Sequence, residues 1–421
     1  MAAVELRRIA LERYKGYARR VELELAPLTI LVGPNNSGKT ALAQAIQLLA
    51  GGFAPSNREA REPLPLESGG IRHGEHFADL VTGRAAHGRL RFSVTLAGKR
   101  GALSLSATVT NVVAPGQPSE RQVSDWRLKS DHGEIHAERQ GFDGVSAYRI
   151  SGARARSDLR TVVWQGLIPQ RPDELAQWIA PHVDTLKAWA AGVRHLRCPR
   201  RLVSSPFLAP EHSPASIGCD GRDAPLALAG DDVLKDSVRN WYRKAFGVRV
   251  DVVAQGSYSN LVTGTPLRDD EVGIAQSGRG LSHVLPVVVM ALTSPRAGAG
   301  VDIIEHPEAE LHPAAHADIA ELLMENLVGP TRPLVVETHS EMVLLRARRW
   351  VAEGRLPAGH VLVYWIHAEP GHGSVAERIR IRENGEMETW PDGVFIEDYE
   401  EILAIRRAAR KQGLERSANR D

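Results

Sequence analysis

Apolar positions along the chain recur with two periods, and the changes of period mark the elements. Val21-Glu22-Leu23-Glu24-Leu25 alternates at period two, as a strand with one buried face does. Leu28-Thr29-Ile30-Leu31-Val32 is almost continuously apolar, the pattern of a strand covered on both faces. A glycine-rich turn follows, and 41–49 reads as a helix closed by Gly51-Gly52. Residues 53–74, rich in Pro, Gly and charge, read as loop, and 89–97, 103–110 and 122–150 as a run of antiparallel strands. Leu175, Ile179, Val183 and Leu186 fall at helical spacing, with Pro181 expected to kink or split that helix. Residues 198–225 show no apolar periodicity. Residues 231–246 predict a helix with Leu234, Val238, Trp241 and Ala245 on one stripe and Gly247 as its stop.

The last third alternates between the two periods. Helices are predicted at 281–292, 313–327 and 341–351, and strands at 301–304 and 334–336, which argues for a sheet with helices packed on it. Asn384-Gly385 predicts a hairpin turn between 378–382 and 387–390. The organisation expected is an N-terminal lobe with an antiparallel β subdomain (1–150), a mostly helical insert (151–260), a C-terminal lobe (261–367) and a small C-terminal domain (368–421).

Composition narrows the classes. A chain of 421 residues, 43% hydrophobic and 24% charged, has the make-up of a globular protein of two or three units. Lys+Arg 52 against Asp+Glu 51 leaves +1, so no global field draws it to nucleic acid or anionic membrane. Cys198 and Cys219 are too few for a disulfide framework and fit a reducing cytosol, hence an expected cytoplasmic location. No run approaches the ~18 apolar residues of a membrane span. Glu5, Arg7 and Arg8 make a poor signal peptide.

The chemistry begins at Gly33-Pro34-Asn35-Asn36-Ser37-Gly38-Lys39-Thr40, set between an apolar strand and a helix that opens through Ala41. Loop N–H groups wrap phosphates, glycines admit the close backbone approach, and the helix N-terminus faces the anion. Lys39 is expected to reach the β/γ-phosphates and Thr40 to ligate Mg²⁺. Near 301–308, Val301-Asp302-Ile303-Ile304-Glu305-His306-Pro307-Glu308 is a strand ending in carboxylates, as needed to hold Mg²⁺ through water beside such a loop. Leu334-Val335-Val336-Glu337-Thr338-His339-Ser340 is a second strand, ending in a histidine.

These three segments, in this order, resemble the ABC-type ATP-binding head shared by RecF, the SMC proteins and the overcoming-lysogenization-defect (OLD) nucleases. The resemblance is to the stand-alone, OLD-like branch of AAA-family ATPases, and extends to 74–81, 273–286 and 390–395. It implies an α/β head with a mixed sheet, an antiparallel β subdomain and a helical insert. It also implies ATP and Mg²⁺ as ligands and two protomers sandwiching two ATP molecules. Residue by residue, Glu305 takes the Walker B acid's place and His339 that of the switch histidine at the γ-phosphate. Ser277-Gly278-Arg279-Gly280 falls where the signature segment belongs, departing from its LSGG pattern; the plain alternative is a Gly-rich loop capping a helix. Tyr14 to Tyr17 corresponds to a segment near the nucleotide base.

Where such heads carry a catalytic glutamate, this chain has His306. Either His306 or Glu308 is then the candidate base, or hydrolysis is slow. No DxD pair follows His339, so the Toprim nuclease of the OLD enzymes is not expected, nor is a long coiled-coil arm. The function implied is an ATP-operated dimeric switch in DNA transactions or anti-phage defence, controlling a separately encoded effector. The alternative is an ATP-gated DNA-binding clamp for repair; a small-molecule kinase would have no use for His339. His312 and His316, and the arginine clusters Arg194/Arg197/Arg200/Arg201 and Arg406/Arg407/Arg410/Lys411, read as solvated groups, with a DNA contact the alternative for the arginines.

Overall fold

One central sheet divides the apolar positions of the described residues between two cores. The computed structural model describes residues 4–53, 62–98, 101–112, 120–141, 147–152, 155–171, 173–201, 206–208, 214, 216–265, 268–293, 299–328, 332–389, 404, 405 and 407. At its centre is a six-stranded sheet in the order Val193–Leu196, Val301–Glu305, Leu334–Glu337, Leu28–Val32, Val361–Glu369, Gly373–Arg380. All neighbours are parallel except the last pair, an antiparallel hairpin. Period two then sorts the side chains. Leu31, Ile303, Val335 and Tyr364 enter one core, while Ile30, Ile304, Val336 and Val363 enter the other.

The first core lies against the P-loop helix Lys39–Phe53, the helix Asp173–Ala191 and an eight-stranded antiparallel sheet. The second is built with Asp232–Phe246, Arg279–Leu292, Pro313–Glu325 and Glu341–Ala352. Among the described residues no helix is long and apolar enough to cross a membrane.

The expected α/β head is what forms, with informative differences. The P-loop helix runs through Gly51-Gly52 to Phe53 instead of stopping there. A Cβ on Gly51 would lie 2.6 Å from Ser68 and one on Gly52 2.6 Å from Leu167, so these glycines allow close packing and do not cap. Asp173–Ala191 likewise continues through Pro181, which lies on its exposed face where water can take the orphaned carbonyl. Strand Glu5–Glu12 carried no clean period because a bulge between Leu6 and Arg8 shifts its register. The boundary expected at 150 falls inside strand Ala147–Gly152, and the expected helical insert contains several strands. One of them, Val193–Leu196, forms an edge of the central sheet. The boundary expected at 367 falls inside strand Val361–Glu369, so the hairpin ending at Arg380 belongs to the same sheet. The expected segment at 390–395 lies outside the described residues.

Of the arginine cluster of this region Arg201 is exposed, but Arg194 and Arg200 are not solvated. Arg194 grips the buried Asp302 with Nε at 2.8 Å and Nη2 at 2.6 Å, and Arg332 adds a third contact at 3.3 Å. Arg194→Ala is expected to lower stability toward the lower end of the roughly 3–5 kcal/mol that losing one member of a buried pair costs, since Arg332 remains. A denaturant midpoint indistinguishable from that of the parent protein would refute this.

Candidate nucleotide-binding site

Strand Leu28–Val32 delivers the loop whose backbone conformations explain its glycines. Gly33 (φ 151°) and Gly38 (φ 109°) lie where L side chains are strained, and a Cβ on Gly33 would collide with the Ile366 carbonyl of the adjoining strand. Between them, Pro34, Asn35 and Asn36 are exposed, Asn36 being left-handed (φ 60°). Lys39 is buried and folds back so that Nζ donates to the Gly33 and Pro34 carbonyls at 3.0 and 2.7 Å. Burial lowers its pKa, with the negative charge of Glu337 acting the other way. Ser37 Oγ is buried without a partner. The Tyr14–Tyr17 turn rests on this loop through Tyr17 Oη, which donates to the Gly38 carbonyl at 3.0 Å, and Ala41 continues the helix behind it.

The two acidic strand ends lie in register, Glu305 opposite Glu337. Thr40 Oγ1 donates to Glu337 Oε1 at 2.7 Å. The sequence pointed to Glu305 for that place. Strand Leu334–Glu337 lies between strand Val301–Glu305 and the P-loop strand, so its end is one strand spacing nearer the loop. Glu305 instead has both oxygens engaged, by His195 Nε2 at 2.8 Å and by the Cys198 N–H at 3.0 Å. Burial opposes its charge, but these donors prevail and hold its pKa below the usual carboxylate value. Glu337 is raised, by burial first and by the charge of Glu305, against the Thr40 hydrogen bond. Its one sequence signal was its position, which ends an apolar strand as Glu305 does.

His306 follows in a left-handed conformation (φ 44°). Its N–H donates to the Glu337 carbonyl at 2.7 Å, and Arg200 Nη2 donates to the Glu305 and His306 carbonyls at 2.6 and 2.8 Å. Arg200, read as solvated from the sequence, is thus the buried brace of this turn. The ring of His306 stacks on that of His339, with centroids 4.9 Å apart and planes 5° from parallel. Its Nε2 is 3.6 Å from Glu337 Oε1 and its Nδ1 3.9 Å from Glu308 Oε1. Burial lowers the His306 pKa, yet the surrounding carboxylates outweigh it and raise the value overall. His339 is lowered, by burial and then by the positive charges of Lys39 and His306. Glu308 Oε1 accepts the His339 N–H at 2.9 Å, while Oε2 is buried without a partner. Burial works against the Glu308 charge, but its hydrogen bonds keep it ionised below the usual range.

The signature-like segment opens the helix Arg279–Leu292, with Gly278 and Arg279 exposed. Ser277 Oγ is within 2.9 Å of Thr263 Oγ1, and a Cβ on Gly280 would come within 2.6 Å of the Glu310 carbonyl. His312 and His316 do not converge on a metal. His312 caps its helix by accepting the Ala314 N–H, and His316, not solvated as expected, bonds Ser340 Oγ at 3.0 Å. Cys198 and Cys219 are free thiols. Of the C-terminal basic cluster only Arg407 lies among the described residues, and it is exposed.

The donor set fits a Mg·nucleotide. The loop offers an unpartnered hydroxyl at Ser37, Lys39 supplies a cation, and Thr40 with Glu337 Oε2, buried and unpartnered, supplies oxygens for a hard cation. Residues 28–346 match the family model described as "AAA domain, putative AbiEii toxin, Type IV TA system". Among solved structures, the Smc head bound to the C-winged helix domain of ScpA is 12% identical with a TM-score of 0.52, the match covering 90% of this chain and 98% of that one. The Smc head with an extended coiled coil, bound to the C-terminal domain of ScpA derived from Pyrococcus furiosus, is 9% identical, covering 96% and 100% at a TM-score of 0.46. The SMC head domain from Thermotoga maritima is 12% identical, covering 90% and 99% at 0.42. The first of these shows a shared fold. With the loop, the strand ends and the family match together, the chain belongs to this AAA-domain family and is a P-loop ATPase with an ABC-type head.

Proposed function

We propose that the protein is an ATP-operated dimeric switch that controls a separately encoded effector, in DNA transactions or anti-phage defence. The observation that carries this is the convergence of Lys39 and Thr40 with Glu337, His306 and His339 at the ends of adjoining strands. Such an arrangement reports the γ-phosphate and its Mg²⁺ directly. Thr40 and the acidic strand end beside it would hold the metal, which supplies charge neutralisation at the phosphates. Lys39 binds the β/γ-phosphates, and His339 contacts the γ-phosphate.

The exposed helix start at Gly278 and Arg279 supports a partner-facing role for 277–280, each protomer completing the other's ATP site. A separately encoded partner agrees with a family description that names a toxin–antitoxin system. A DNA clamp is less well supported, because Arg194 and Arg200 are spent on Asp302 and on the Glu305–His306 turn.

Solution mass in ATP, in ADP and without nucleotide tests the switch. ATP is expected to drive dimerisation and ADP to release it. The same mass in all three conditions would exclude a nucleotide-switched dimer.

A further inference from the structure

Neighbouring strands end in two carboxylates whose surroundings are opposite. Both oxygens of Glu305 are committed to strand Val193–Leu196 and the residues just after it, through His195 Nε2 and the Cys198 N–H. The His195–Glu305 pair is closed off from solvent, at 1% and 3% side-chain exposure. Glu337 has one oxygen on the Thr40 hydroxyl and the other buried with no partner among the described residues.

We propose that Glu337, and not Glu305, is the carboxylate that holds the Mg²⁺ hydration shell at Thr40, while His195 keeps Glu305 out of that role. The proposal rests on the reading of this site as an ATP site. A hydroxyl that gives its lone pair to a metal must direct its proton to an acceptor, and that acceptor lies beside the metal's waters. Here the acceptor is Glu337. Its second oxygen needs donors that the described residues do not provide, and metal-bound water is such a donor. A divalent cation would also relieve the repulsion between two in-register carboxylates, adding to what the Thr40 hydroxyl, His306 and Lys39 contribute. Glu305 then acts as a positioning residue. Its side chain ties the edge strand to the Walker B strand, and its carbonyl, with that of His306, is held by Arg200.

The test uses Mn²⁺ as a spectroscopic probe with a non-hydrolysable ATP analogue and the full chain. Glu337→Gln keeps an acceptor for Thr40 but loses the charge. It is expected to weaken Mn²⁺ binding about 10–100-fold, the usual cost of removing an outer-shell metal partner, without changing analogue affinity in EDTA. Glu305→Gln is expected to keep the Mn²⁺ affinity and to lower the melting temperature, because His195 loses an anionic partner. Loss of Mn²⁺ affinity in Glu305→Gln, alone or together with Glu337→Gln, would overturn the assignment, as would normal affinity in both. Should Glu337→Gln not fold, Glu337→Asp, which withdraws the charge by one methylene, is expected to weaken Mn²⁺ as well, and unchanged affinity there would also overturn it. If the unaltered protein binds no analogue with or without metal, the ATP reading itself fails, which the EDTA measurement separates from a misassigned carboxylate.

Discussion

Lys39→Ala is expected to abolish ATP binding, and with it every nucleotide-dependent property of the protein. In the structure Nζ is already turned into the loop, on the Gly33 and Pro34 carbonyls, so phosphates entering the loop meet a cation that needs only a short swing. Burial lowers its pKa, and an arriving anion would favour the charged form again. Removing the lysine leaves the loop N–H groups and the helix terminus as the remaining phosphate contacts, and two carbonyls without their donor. Calorimetric titration with ATP checks this, with the melting temperature as a control for folding. Near-normal affinity in a folded Lys39→Ala protein would remove the basis for an ATP site.

The P-loop was legible from sequence because everything it needs is local: an apolar strand, two glycines at strained φ, a lysine, a hydroxyl and a helix start. Its extent was misjudged for the same reason. Gly51-Gly52 is a stop by local rules, and only the packing of Ser68 and Leu167 against it shows that the helix must continue. The rest of the site is assembled by strand order, which a single sequence does not display. Nothing in Arg194-His195-Leu196 announces an edge strand beside Val301–Glu305, so neither the place of His195 nor the buried one of Arg200 is legible in the sequence. Glu337 has no motif of its own in the sequence, where the histidine two residues on is the recognisable group. The parallel order Val301–Glu305, Leu334–Glu337, Leu28–Val32 is what sets Glu337 against Thr40.

His306→Ala is expected to reduce ATP turnover about 10²–10⁴-fold, the usual worth of a general base, while leaving ATP affinity largely intact. The left-handed turn at 306, held by Arg200, presents the ring beside His339 with Glu337 and Glu308 on either side. It is also more open than its competitor, with 23% of its side chain exposed against 9% for Glu308. Glu308 spends one oxygen on the His339 N–H, which suits it to hold His339 in place. The carboxylates that favour the protonated form of His306 leave less of the neutral imidazole free to accept a proton, so slow turnover in the unaltered protein is expected. His306→Glu is therefore expected to keep or raise the rate, since a carboxylate at that position is ionised throughout the neutral range. Glu308→Gln, which retains an acceptor for His339, is expected to cost less than His306→Ala. Single-turnover rates with ATP saturating separate the cases. A 10²–10⁴-fold loss in Glu308→Gln with a mild effect of His306→Ala would transfer the role of base to Glu308. If neither substitution changes the rate, the base is supplied from outside this turn, by a partner protomer, and the assignment around Pro307 is wrong.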